Sequence, residues 1–209
     1  MERLIEGYRN FRSSYYEQNR ALFENLARRG QSPRVLLVGC SDSRVDPAVI
    51  LGAQPGDLFV LRNVANIIPP YSPDAAHHGT SAAIEFAVRV LAVSDIVVLG
   101  HAQCGGAKAL LEQSTTTDST DFINGWMSIA RGARDRALAL QLSNAQPPEV
   151  AQRICEQEII AISMSNLMTF PWVREKVEKG ELGVRGWWYD LDTGQLFGLD
   201  GLTNTFVPL

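Results

Sequence analysis

The sequence predicts an α/β fold: a single domain with a mostly parallel central β-sheet flanked by helices, an N-terminal helical arm and a late C-terminal β-hairpin. Three observations predict it. Short unbroken apolar runs, the pattern of strands buried on both faces, recur in the first half of the chain. Stretches of helical periodicity separate them, which is the alternation of a parallel sheet. Near the C-terminus, two aromatic-containing runs flank Asp192-Thr193-Gly194, a hairpin pattern. A chain of 209 residues holds one domain with a sizeable core, and no linker or internal repeat divides it. The expected organisation is one domain over residues 1–209, with residues 1–30 as the arm.

Residues 1–29 read as one amphipathic helix, because Leu4, Tyr8, Phe11, Tyr15, Leu22 and Leu26 share a face. Gly30-Gln31-Ser32-Pro33 ends it. Such a helix either packs on its own core or docks on a partner subunit, and periodicity does not distinguish the two. Val35-Leu36-Leu37-Val38-Gly39 is the first strand. Asp57-Leu58-Phe59-Val60-Leu61 is the second, after a turn at Gln54-Pro55-Gly56, and Asp95-Ile96-Val97-Val98-Leu99-Gly100 the third. Between the last two, residues 79–93 carry a helical stripe through Ala83, Phe86, Ala87, Val90 and Leu91. Residues 115–120 read as a polar loop and residues 120–142 as a helix. Pro147-Pro148 starts a long helix that runs to about Phe170, where Pro171 breaks it. Residues 186–191 and 195–198 form the hairpin.

The composition, 45% apolar and 20% charged, excludes disordered and low-complexity classes. A net charge of −4 lacks the basic footprint of a nucleic-acid binder. No run approaches the roughly 18 apolar residues a membrane helix needs, and the N-terminus lacks a signal-peptide pattern. Three cysteines are too few for a disulfide framework, so a soluble protein of the reducing cytoplasm is expected.

The chemistry concentrates just past two predicted strands. Cys40 follows the first; His101 and Cys104 follow the third. Sites in open α/β sheets form beyond the carboxyl ends of strands, so these three side chains can converge there. Two thiolates and an imidazole suit zinc and leave a fourth position open. His101-x-x-Cys104 alone is also compatible with two core residues; Cys40-x-Asp42-x-Arg44 on the neighbouring strand strengthens the metal reading. Asp42 and Arg44 share a parity in extended chain, and Arg44 can hold the Asp42 carboxylate off a metal. Cys155, inside an apolar helix, reads as packing.

Cys40-Ser41-Asp42-Ser43-Arg44 followed by His101-Ala102-Gln103-Cys104-Gly105 resembles the signature of β-class carbonic anhydrases. Gln31-Ser32-Pro33, the stretch from Pro55 to Asn66, Ile84-Glu85-Phe86-Ala87 and Gly186-Trp187-Trp188-Tyr189-Asp190 are similar to the plant-type branch. The resemblance implies reversible hydration of CO2 to bicarbonate and a proton, with one Zn2+ per subunit held by Cys40, His101 and Cys104. It implies Asp42 and Arg44 as the catalytic dyad and Gln31 as a hydrogen-bonding partner of the substrate. Phe59, Val64 and Phe86 match an apolar wall around CO2, with Phe86 where plant relatives carry tyrosine. Gly105 matches a position whose backbone N–H contacts substrate.

In the family's other branch, Asp42's counterpart becomes a fourth zinc ligand in a closed form, when bicarbonate fills a pocket of tryptophan, arginine and tyrosine. Arg62 and Tyr189 are present here, but Leu37 replaces the tryptophan, and with Gln31 this favours the open form. The family's subunits form homodimers or assemblies of dimers, the N-terminal helix embracing its neighbour. Two alternatives stand beside this reading: a related zinc hydrolase acting on CS2 or COS, and a non-catalytic zinc- or bicarbonate-binding scaffold. His77 and His78 are the histidines left for proton export, although residues 74–79 read as a helix start. Trp172, Trp187 and Trp188 read as core or interface residues.

Overall fold

The three apolar runs lie side by side in one six-stranded sheet in the computed structural model, which describes residues 1–74, 76–112, 120–145 and 147–209. The strands are β1 (Val35–Cys40), β2 (Leu58–Asn63), β3 (Asp95–His101), β4 (Gly183–Tyr189), β5 (Leu196–Asp200) and β6 (Thr205–Pro208), in the spatial order β2-β1-β3-β4-β5-β6. Strands β1 to β4 pair in parallel, and β5 and β6 add antiparallel strands. The helices are α1 (Glu2–Ser13), α2 (Tyr15–Gln18), α3 (Arg20–Arg29), α4 (Pro47–Leu51), α5 (Gly79–Glu85), α6 (Gly105–Leu111), α7 (Ile123–Ser128), α8 (Arg131–Asn144), α9 (Pro148–Leu167) and α10 (Pro171–Glu178).

Alternation along the strands divides the core between the two faces of the sheet. Leu36, Val38, Ile96, Val98 and Trp188 point to one face, under Ile84, Val88, Ile160 and Phe170. Leu37, Val97 and Leu99 point to the other, with Leu51, Trp187 and Leu196 packed against them. The helix α9 lies along β3 and β4. Gly100 and Gly186 make that approach possible, since a Cβ there would come within 2.7 Å and 2.8 Å of Ile160 side-chain carbons.

Several elements differ from the sequence expectation. The arm is three helices, broken at Ser14 and Asn19. Both residues turn a side chain on the preceding backbone, Ser14 Oγ donating to Asn10 O and Asn19 Nδ2 to Tyr15 O at 2.8 Å, which competes with a continuous helix. None of the three has a buried residue. The helix of residues 79–93 is α5 followed by a wider π-type turn over Phe86–Val90. Residues 120–142 form α7 and α8 rather than one helix. Pro171 ends α9 and also starts α10, where its missing N–H costs nothing at the first helical position. The first hairpin strand is also the fourth parallel strand, and β6 extends the sheet beyond the expected hairpin. Strand β2 is at an edge and only half-buried, so its apolar run does not mark a central strand. Residues 113–119, most of the expected polar loop, lie outside the described residues.

Candidate metal centre

Parallel pairing of β1 with β3 places their carboxyl ends side by side, with Gly39 opposite Leu99. Cys40 ends β1 and His101 ends β3. A turn through Ala102 and Gln103 then delivers Cys104 to the N-cap of α6. The ligand atoms of Cys40, His101 and Cys104 all lie within 4.8 Å of one another, and all three residues are buried. The two sulfurs are 3.9 Å apart. Sulfurs about 2.3 Å from a tetrahedral zinc would stand about 3.8 Å apart, so the pair is already spaced for the ion.

The imidazole is oriented as well. His101 Nδ1 donates to Ala102 O at 2.8 Å, while its buried Nε2 has no partner among the described residues. An unpartnered imidazole nitrogen facing two sulfurs has the chemistry of a ligand set, with the Nδ1–H bond setting the tautomer. The hydrogen bond from Cys104 lowers the Cys40 thiol below its ordinary value, and the same contact with burial pushes Cys104 upward. Without a metal the pair therefore shares one proton; a bound dication would remove it.

Asp42 and Arg44 sit on the loop after β1. Arg44 Nε donates to Asp42 Oδ1 at 2.9 Å and Nη2 to Oδ2 at 2.7 Å, a two-point grip, and the Arg44 backbone N–H adds a third bond at 2.9 Å. The guanidinium holds the Asp42 carboxyl well below the usual carboxylate range. Arg44 Nη2 also donates to Gln103 O at 3.0 Å, and Gln103 Nε2 donates to Asp192 Oδ1 at 2.8 Å. Arg62 is committed to the same loop from below, donating to the carbonyls of Cys40 at 2.8 Å, Asp42 at 2.6 Å and Val45 at 3.2 Å. Leu37 is fully buried in the sheet.

The remaining expected residues are placed as follows. Phe59 and Phe86 pack ring against ring at 5.8 Å, with Phe86 42% and Val64 43% exposed. Val64 and Ser41 line a cavity of about 770 Å³ together with His77, His78, Phe122 and Trp126. Trp126 Nε1 fixes its wall by donating to Val64 O at 2.9 Å. His78 directly precedes α5, which begins at Gly79, without a side-chain bond to the helix, and its Nε2 lies 2.7 Å from Asp74 Oδ1. A Cβ at Gly105 would meet open space; the tight approach belongs to Gly106, where a Cβ would come within 2.9 Å of Ala65. Gln31 lies exposed between α3 and β1, with no side-chain hydrogen bond among the described residues. Cys155 is buried in the cluster that holds Ala107, Leu110 and Ile159, as packing.

Sequence reasoning missed Glu156, a 3% exposed acid beneath Cys104. Burial raises its carboxyl pKa, against N–H bonds from Cys104, Gln152 and Trp188. The available signal was its register on α9 with the buried Ile160, Ser163 and Leu167.

The sequence profile of the carbonic anhydrase family matches residues 35–196. A carbonic anhydrase of Synechocystis sp. is 38% identical over 207 residues, covering 99% of this chain and 74% of that protein. Beta carbonic anhydrase 3 of Arabidopsis thaliana is 39% identical over 213 residues, covering 100% and 81%. Among solved structures, the β-carbonic anhydrase CcaA superposes with a TM-score of 0.92 at 38% identity, covering 100% of this chain and 92% of that one. A tetrameric β-carbonic anhydrase of Sordaria macrospora superposes with a TM-score of 0.80 at 32% identity, covering 95% of each.

Proposed function

This chain belongs to the carbonic anhydrase family, in its β class, and from that membership we propose that it catalyses the reversible hydration of CO2 to bicarbonate and a proton. The observation that carries the reading is the buried Cys40, His101 and Cys104 group beside the locked Asp42–Arg44 pair. The group fits zinc by donor type, sulfur spacing and the unpartnered Nε2. When bound, zinc supplies a nucleophile from water at near-neutral pH.

The chain's own residues do the rest. Cys40, His101 and Cys104 hold the ion, and Ala102 O keeps the imidazole turned toward it. Asp42, held ionised and oriented by Arg44, accepts a hydrogen bond from the attacking water and so aligns it. Arg44 keeps that carboxylate from becoming a fourth ligand, which makes the open form the working one; the buried Leu37 and the committed Arg62 support it. Val64 beside the centre, with the Phe59–Phe86 pair supplied from a second copy of the chain because it lies toward the amino end of β2, offers CO2 an apolar wall from which water is easily displaced. Gln31, before the amino end of β1 and therefore reaching the site from a second copy of the chain, and the Gly105 N–H hold the oxygens of substrate or product.

The arm, with Leu4 64% and Tyr8 62% exposed, docks on a second copy of this chain, and the working unit is a homodimer or an assembly of dimers. Among the described residues no helix is long and apolar enough to cross a membrane. Three free cysteines suit the reducing cytoplasm, where we place the enzyme.

Stopped-flow CO2 hydration on zinc-loaded protein tests the reading, with Cys104→Ala as the control. Hydration well above background that vanishes in the control is expected. Full zinc occupancy without hydration would overturn it.

A further inference from the structure

Helix α9 buries a carboxylic acid, Glu156, that the proposed chemistry does not use. Glu156 lies on the apolar stripe of the helix, where an acid is costly unless hydrogen-bonded. Every bond it makes is received. Oε1 accepts the Cys104 backbone N–H at 3.0 Å and Gln152 Nε2 at 3.1 Å, and Oε2 accepts Trp188 Nε1 at 3.3 Å. Three donors and no acceptor surround the two oxygens, a setting matched to a carboxylate and mismatched to an amide or an apolar side chain.

What Glu156 grips gives the arrangement its meaning. The Cys104 amide directly follows Gln103, which is left-handed at φ 56°. A non-glycine residue there is strained and persists only where its surroundings over-determine it. Two long-range bonds bracket this turn: Ala102 N–H donates to Tyr189 O at 2.8 Å, and Cys104 N–H donates to Glu156. The turn's conformation decides where the Cys104 sulfur points relative to Cys40 and His101.

We propose that Glu156 is a positioning residue of the metal centre: its buried carboxylate clamps the strained turn through the Cys104 amide and thereby presets the sulfur for the ion. The inference rests on the zinc reading of Cys40, His101 and Cys104. Glu156 touches neither metal nor substrate and acts through the backbone of a ligand.

The test is zinc affinity, measured by chelator competition on the full chain for wild type, Glu156→Gln and Glu158→Gln. Glu158 lies two residues away on the same helix and pairs with Arg136 at 2.9 Å, remote from the turn. Glu156→Gln keeps the size but sets an amide NH2 against one of the N–H donors. The expected result is a 10–100-fold weaker zinc affinity, the usual cost of losing such a supporting contact, with Glu158→Gln within about twofold of wild type. A role confined to packing would lower the melting temperature of metal-free and zinc-loaded protein equally and leave affinity unchanged, and that result would overturn the proposal. Should Glu156→Gln not fold, Gln152→Ala removes a half-buried donor to the same oxygen. A loss of zinc affinity of about two- to fivefold supports the clamp, and an unchanged affinity overturns it. Wild type that binds no zinc would overturn the zinc reading and the clamp together, a failure visible before any variant is compared.

Discussion

Arg44 is held from two sides: it grips Asp42 through two bonds of 2.9 Å and 2.7 Å, and it donates to the backbone oxygen of Gln103 at 3.0 Å. The loop after β1 is thereby tied to the turn after β3. The same turn carries Cys104, so the dyad and the ligand set share one frame.

Arg44→Ala releases Asp42 from its two-point partner. A fall in kcat/KM of at least tenfold is expected for zinc-loaded protein, because an unpositioned carboxylate loses its alignment of the attacking water. Gln103→Ala removes only exposed side-chain contacts and should cost no more than about fivefold. Stopped-flow CO2 hydration measures both, and equal rates in wild type and Arg44→Ala would count against the role of the dyad.

The depressed Asp42 pKa sets a direction for stability against pH. A carboxyl lowered in the folded state stabilises the fold above its unfolded value, about 3.9, and that contribution is lost as pH falls through and below it. The gap in melting temperature between wild type and Asp42→Asn should therefore be widest near neutral pH and shrink below about pH 4. A gap that widens on acidification would contradict the ion pair.

Metal removal should expose a difference between thiols. In metal-free protein the Cys104 contact lowers the Cys40 thiol and favours its thiolate, whereas burial pushes Cys155 up to about 12. Iodoacetamide at pH 6 followed by mass mapping should label Cys40 before Cys155, and zinc should protect Cys40. Preferential labelling of Cys155 would reverse the assignment.

Gly186→Ala places a Cβ within 2.6 Å of Met164 Sδ and 2.8 Å of Ile160. Overpacking of this kind costs roughly 1–3 kcal/mol, so a lower midpoint in urea unfolding is expected at unchanged slope. An unaltered midpoint would show that α9 can move off the sheet freely.

Much of this was legible in the chain because it is local. Apolar runs of strand length, each ended by a polar ligand residue, already imply that Cys40 and His101 stand at the end of a parallel sheet. The breaks at Ser14 and Asn19 were not legible, since apolar periodicity continues across them and only side-chain bonds to the backbone interrupt the helix. The edge position of β2 was not legible either: its apolar run marks a strand, but which strands flank it, and hence how far it is buried, depends on long-range pairing.

The sequence by itself determined the candidate donor types, the order of the first three strands along the chain and the closeness of Asp42 to Arg44, because each depends on residue type or on spacing within a few positions; that Cys40 meets His101 and Cys104 follows from the pairing of β1 with β3. Only the tertiary structure decided that Glu156 lies under Cys104, that Arg44 reaches Gln103, and that Gly106 rather than Gly105 packs closely on its neighbour. Those contacts join residues up to 59 positions apart. They follow from how α9 and two loops pack around the carboxyl ends of the strands, a matter of shape and hydrogen-bond satisfaction that no local pattern encodes.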